Sequence, residues 1–181
     1  MHCWKTINVK KQYGFDRIFL LSSLIVVAVF SLFYITLEIL NNSQLSDDLF
    51  PVFLISIILI YPIHKCFHFL PLVSYRSQLH ISVKKHLEFL PILSIRIKEP
   101  IPKLRFIFAL ISPFIFINGL LIMGAFNFPA FGHYFSILLA YHCGLCLIDL
   151  LYIKNLLRSP KTALIEETET GYEILIPPTF V

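Results

Sequence analysis

The chain has 181 residues, enough for one domain, and a formal net charge of +4. Hydrophobic residues make up 57% of it and charged residues 14%, with a mean hydropathy of +0.77. A soluble domain is about half apolar and about a quarter charged, so this composition excludes an ordinary soluble protein and predicts an α-helical integral membrane protein.

Four apolar stretches predict four transmembrane helices, at about residues 18–40, 50–73, 104–126 and 129–157. Each is long enough to cross about 30 Å of hydrocarbon. The polar loop NNSQLSDD joins the first two stretches, and the turn AFNFPAFG joins the last two. A connection (74–103) and a tail (158–181) complete a single membrane domain over 1–181. The first stretch lacks a signal-peptide cleavage site, so we expect it to be retained.

The connection and the tail contain strand-like patterns. LHISVK (79–84) and LSIRIKEP (93–100) alternate between apolar and polar residues with a period of two, which predicts strands that end before Pro100 and Pro102. In the tail, TALIEETETGYEILIPP predicts a strand, a turn near Gly171 and a second strand. The sequence therefore predicts a small cytoplasmic β element beneath the helices.

The basic residues indicate the orientation in the membrane. Fourteen of the 15 lysines and arginines lie before the first span, around the connection or after the last span, and the exception is Lys65. The positive-inside rule therefore places both termini and the connection in the cytoplasm. The lipid bilayer accounts for the basic face, so the charge requires no nucleic acid as a partner.

The four cysteines do not have the pattern of a disulfide framework. Cys3 lies in the basic N-terminal segment, and Cys66, Cys143 and Cys146 lie in apolar stretches, whereas secreted scaffolds pair cysteines in polar loops. The CxxC formed by Cys143 and Cys146 is a redox or zinc motif in soluble proteins. Within a membrane span, we interpret it as close helix packing by small residues.

Ionisable residues inside a membrane are costly and therefore candidates for function. The stretch YPIHKCFHFL (61–70) carries His64, Lys65 and His68, and histidines at i and i+4 share a helix face that can hold a metal. The same residues are also compatible with a polar helix end from which Lys65 reaches the headgroups. Pro62 raises the question of a kink before His64. Glu38 lies at the outer end of the first span, where we expect it to reach the headgroups.

A carboxylate lies at a similar depth in the fourth span. Counting from the outer boundary, His64 and His68 lie about 20–27 Å deep and Asp149 lies about 30 Å deep. Two histidines and one carboxylate form the ligand set of a catalytic zinc site. Two further interpretations remain open: an ion pair between Lys65 and Asp149, and a cavity lined by the helix face that carries His142, Cys146 and Asp149.

In zincins, the residue after the first histidine is a glutamate that takes a proton from the attacking water. Here that residue is Lys65. A protonated lysine would repel a divalent cation and cannot serve as the base.

The order of these segments resembles a zincin peptidase family of small bacterial membrane proteins, a domain of unknown function that is distantly similar to the site-2 protease type of intramembrane zinc peptidase. The resemblance extends over about residues 52–177. HKCFH stands where the family has H-E-x-x-H on its second helix. IRIKEPIPKLRFIFALISPFIFI is similar to the approach to the third helix, and CGLCLIDLLYIKNLLRSPKTALIEETETGYEI is similar to the last helix and its acidic tail.

The resemblance implies a bacterial cytoplasmic membrane, zinc as the cofactor, and His64, His68 and Asp149 as its ligands, with Lys65 in the place of the catalytic base. We therefore expect a zincin-like protein without peptidase activity that binds a membrane peptide or a partner protein. One alternative is an active intramembrane metallopeptidase whose base comes from elsewhere. The other is a structural or transport-accessory protein. Glu88 and Glu99 lie in the connection, but their spacing does not place either at the metal.

Overall fold

The computed structural model describes residues 2–41, 44–72, 79–85, 91–97, 100–168 and 171–177, with 79–85 and 91–97 described by their backbone. Its helices are α1 (Val9–Tyr13), α2 (Phe15–Asn41), α3 (Phe50–Phe69), α4 (Lys103–Asn127) and α5 (Gly132–Leu157). Its strands are β1 (His2–Ile7), β2 (Leu79–Lys85), β3 (Pro91–Ile97), β4 (Ile101–Pro102), β5 (Leu164–Glu167) and β6 (Tyr172–Ile176).

The helices α2 to α5 are each long and apolar enough to span a membrane. Their bounds lie within a few residues of the predicted spans. A short 3-10 turn, Pro129–Phe131, precedes α5, so the last α-helix begins three residues later than predicted. The helix α3 continues through Pro62 without interruption.

The strands form two antiparallel sheets rather than one element. β2 and β3 pair as a separate hairpin, and the other four strands form a sheet in the order β1-β6-β5-β4. The predicted tail hairpin is present as β5 and β6. The sequence pattern did not predict β1. Residues 101 and 102 form β4, which pairs with β5, so they do not simply end the preceding strand.

The four-stranded sheet brings the N-terminal segment and the tail to one end of the helices. Its fully buried side chains include Ile7, Ile101, Ile165 and Ile174, which pack with the N-terminal part of α4 and the C-terminal part of α5. Lys103 is the first residue of α4, and its Nζ donates a hydrogen bond of 2.6 Å to the carbonyl oxygen of Ser159, two residues beyond the end of α5. The sheet therefore holds the ends of α4 and α5 together.

The helix α5 lies in the middle of the bundle, with α2 against one side of it and α4 against another. At Gly144 the helix α2 approaches α5 closely, because a Cβ at that position would lie 2.6 Å from Cγ2 of Val26. The Ser22 hydroxyl donates a 3.0 Å hydrogen bond to the Gly144 carbonyl oxygen at the same crossing. This packing leaves the opposite face of α5 to meet α3 and α4.

Candidate metal centre

Two imidazoles of α3 face the interior of the bundle. His64 and His68 are separated by four residues, so they lie on the same side of the helix. Their Nε2 atoms lie 3.1 Å apart. His64 is buried, with 4% of its surface exposed, and His68 is partly buried. The rings meet edge to face, which directs both Nε2 atoms toward one point.

The carboxylate of Asp149 reaches the same point from α5. Its Oδ2 atom lies 3.1 Å from Nε2 of His64 and 3.6 Å from Nε2 of His68. The structure thus brings together the three residues that the sequence placed at a common depth. Within the described residues, the close contacts of Asp149 are with these histidines, and no ion pair joins it to Lys65.

The three donor atoms have the spacing that a zinc ion requires. Zinc binds nitrogen and oxygen ligands at about 2.0–2.2 Å in tetrahedral sites, which places neighbouring donor atoms about 3.4 Å apart. The observed separations are 3.1, 3.1 and 3.6 Å. His64, His68 and Asp149 therefore fit a zinc ion with one position left open, and we call them the zinc triad.

A proline in α4 orients His68. Nδ1 of His68 lies 2.8 Å from the carbonyl oxygen of Ala109. In an unbroken helix that carbonyl would accept a bond from the N–H of residue 113, but Pro113 has none. The proline therefore leaves the Ala109 oxygen available to accept the Nδ1–H of His68. This bond leaves the lone pair of Nε2 to face the triad.

Two polar residues orient His64 through a hydrogen-bonded chain. Nδ1 of His64 lies 3.1 Å from Nε2 of His142, and Nδ1 of His142 lies 2.6 Å from Oδ1 of Asn118. An amide oxygen only accepts, so His142 donates from Nδ1 and accepts at Nε2. His64 then donates from Nδ1, which leaves its Nε2 lone pair facing the triad. Both histidines thus have their protons directed away from the point that their Nε2 atoms and Asp149 share.

The residues of the supporting chain lie in the bundle interior. His142 is fully buried and Asn118 is 7% exposed. Neither could be assigned this role from the sequence, because the pattern does not show which helix faces which. Pro113 was a usable signal, since a proline within an apolar helix leaves a carbonyl that needs another donor.

The two cysteines of the CxxC sequence lie in different environments. Sγ of Cys146 is buried and lies 3.5 Å from Nε2 of His142 and 3.9 Å from Nδ1 of His64. Cys143 instead accepts a hydrogen bond of 3.5 Å from the amide of Asn118. Close helix packing, which we predicted for this motif, occurs at Gly144, between the two cysteines. Both thiols, in contrast, have polar neighbours.

A comparison with protein families identifies the family of this chain. A family model described as "Putative zincin peptidase" matches residues 57–164, which is more than half of the chain and includes the whole zinc triad. The chain belongs to this family. No curated protein and no solved structure matches it.

At the residue after His64, the chain differs from the H-E-x-x-H sequence of zincins. Lys65 occupies this position, its side chain is exposed, and its Nζ lies 5.9 Å from the centre of the Tyr61 ring. The two glutamates of the connection, Glu88 and Glu99, lie outside the described residues. In the described part of the chain, Asp149 is the one carboxylate that lies in a cluster of residues able to hold a metal ion.

Replacing Asn118 with alanine should weaken zinc binding by about 10–100-fold, the usual effect of removing a partner of a metal ligand. The substitution removes the acceptor that fixes the His142 ring and, through it, the Nδ1 proton of His64. Competition with a zinc chelator measures the affinity. Asn127→Ala is the matched control, because Asn127 lies on the same helix, is exposed and contacts Met123. Equal affinities in the two variants would contradict this role.

Proposed function

We propose that this protein is a membrane-embedded zincin that holds zinc through His64, His68 and Asp149, has lost peptidase activity, and acts by binding a membrane peptide or a partner protein. The observation that carries the proposal is the zinc triad itself. Its three donor atoms lie 3.1–3.6 Å apart, and hydrogen bonds to Ala109 and His142 direct the histidine protons away from the triad.

The loss of activity follows from Lys65. Peptide hydrolysis requires a group that accepts a proton from the attacking water, and such a base contributes typically 10²–10⁴-fold to the rate. An ammonium group cannot accept a proton, and its charge opposes that of a divalent cation. Asp149 is not a substitute base, because its oxygen belongs to the ligand set. The absence of a glutamate here favours binding over hydrolysis.

We place the protein in a bacterial cytoplasmic membrane with both termini in the cytoplasm. The basic residues support this orientation, as does the sheet that gathers β1, β4, β5 and β6 at one end of the helices. In this arrangement the zinc triad lies in the cytoplasmic half of the bilayer. There, zinc would supply a Lewis acid that can attract a peptide carbonyl oxygen.

The exposed surface beside the triad suits an apolar membrane peptide. On α3, Tyr61 is 44% exposed and lies seven residues before His68, which is about 20° around the helix axis. In a bilayer this side chain faces lipid or another helix. A partner that packs there would bring its backbone close to the partly exposed ligands His68 and Asp149, which is the geometry that the binding function requires.

The test of inactivity is a hydrolysis assay on the purified full chain in detergent micelles. The substrate is an apolar transmembrane peptide that carries a fluorophore and a quencher. We expect the wild-type protein loaded with zinc to release no more fluorescence than His68→Ala. Hydrolysis by the wild-type protein that disappears in His68→Ala would contradict the proposal and would support the active metallopeptidase.

A further inference from the structure

A second group of metal-binding atoms lies on the other side of the His64 ring. It consists of Nδ1 of His64, Nε2 of His142 and Sγ of Cys146, and all three residues are buried. The two nitrogens are 3.1 Å apart, and the sulfur lies 3.5 Å from Nε2 of His142 and 3.9 Å from Nδ1 of His64. We call this group the sulfur triad.

These distances fit an ion with three ligands. With metal–nitrogen distances near 2.0 Å and a metal–sulfur distance near 2.3 Å, a trigonal ion separates the nitrogens by about 3.5 Å and each nitrogen from the sulfur by about 3.7 Å. The observed nitrogen–sulfur distances of 3.5 and 3.9 Å lie on either side of this 3.7 Å. In the described part of the chain, no further His, Cys, Asp or Glu joins the group. A structural zinc site would normally have four ligands.

The donor types and the burial favour monovalent copper. Thiolate ligands select soft ions such as Cu(I) and zinc, and two histidines with one cysteine form the trigonal donor set of copper sites. Cys146 binds as a thiolate and releases its S–H proton to the solvent, so Cu(I) with one thiolate and two neutral imidazoles has no net charge. A zinc ion in the same place would leave a net positive charge among fully buried side chains, which is costly. We propose that His64, His142 and Cys146 form a Cu(I) site.

The copper site and the zinc triad compete for His64. A neutral imidazole has one lone pair on a ring nitrogen and one N–H. Zinc binding requires the proton on Nδ1, where His142 accepts it. Copper binding requires the proton on Nε2, from which it is donated to Oδ2 of Asp149 at 3.1 Å. The structure offers a hydrogen-bond acceptor for either tautomer, so the position of one proton decides which site is complete.

The test is an anaerobic titration of the purified full chain with Cu(I) in competition with a copper chelator. The wild-type protein and Asp149→Asn should each bind one Cu(I) per chain, and Cys146→Ser should bind it at least about 100-fold more weakly, as expected for loss of a ligand. Cys66→Ser is the matched control, because Cys66 is exposed on α3, and its affinity should equal that of the wild type. Cys146→Ser should retain its zinc, which shows that the variant is folded.

Other outcomes separate this inference from the proposed function. Copper affinity that is unchanged in Cys146→Ser, or lost in Asp149→Asn, would place copper at the zinc triad and overturn the inference. Simultaneous binding of one zinc and one Cu(I) by the wild type would show that the two sites do not compete for His64. Copper binding that requires Cys146 in a protein that takes up no zinc would contradict the proposed function alone. The copper absorption edge provides a second measurement, since a sulfur neighbour is expected in the wild type and none in Cys146→Ser.

Discussion

Lys65→Glu should gain the peptidase activity that, in our proposal, the wild-type protein lacks. On a helix, residue 65 lies 100° around the axis from His64 and about 60° from His68, so it borders the face that holds the zinc triad. A glutamate in this position can accept the proton of the attacking water. It also replaces a positive charge with a negative one beside the cation. We expect hydrolysis of the quenched transmembrane peptide at a rate about 10²–10⁴-fold above background.

The control for this experiment is Lys65→Gln, which removes the positive charge without adding a base. It should bind zinc at least as well as the wild type and should remain inactive. The difference in rate between Lys65→Glu and Lys65→Gln therefore measures the base alone. If both variants hold zinc and neither cleaves the peptide, then Lys65 is not what prevents hydrolysis.

Asp149→Asn should lower the zinc affinity by at least about 100-fold. Loss of a hydrogen-bonding partner of a ligand already costs 10–100-fold, and here the charged ligand itself is removed. Asparagine keeps the size of the side chain but cannot neutralise the ion. In an interior of low dielectric constant, an uncompensated charge is much more costly than in water. Competition with a zinc chelator gives the dissociation constant.

Asp16→Asn provides the matched control, because Asp16 carries the same charge in an exposed first turn of α2. Its zinc affinity should equal that of the wild type. A zinc affinity in Asp149→Asn that equals this control would show that the carboxylate is not a ligand.

The four long helices were predictable because length and hydropathy are local properties. The observed α2, Phe15–Asn41, compares with a predicted span of about 18–40, and α4, Lys103–Asn127, compares with 104–126. The strand β1 was not predictable in the same way. It pairs with β6, with His2 opposite Ile176, across almost the whole chain. A short strand whose partner is so distant leaves no periodic signal in its neighbourhood.

In the candidate site, too, the features local to one helix were predictable and the contacts between helices were not. His64 and His68 are recognisable because their spacing is local to one helix, and Asp149 followed from depth and from the family resemblance. The roles of His142 and Asn118 depend on α5 and α4 facing α3, which no local pattern reveals. The CxxC motif was interpreted as helix packing, and a cavity lined by the face of His142, Cys146 and Asp149 was left open. The structure places the Cys146 thiol against two imidazoles. The roles of His142 and Asn118 and the surroundings of Cys146 all depend on contacts between helices.

The most direct test of a zinc centre formed by His64, His68 and Asp149 is X-ray absorption spectroscopy of the zinc in the purified wild-type protein. The account predicts about one zinc per chain, bound only by nitrogen and oxygen at about 2.0–2.2 Å, with scattering from two imidazoles. A sulfur neighbour at about 2.3 Å would place the zinc at Cys146 instead. Such a neighbour, or a folded protein that takes up no zinc, would contradict the account.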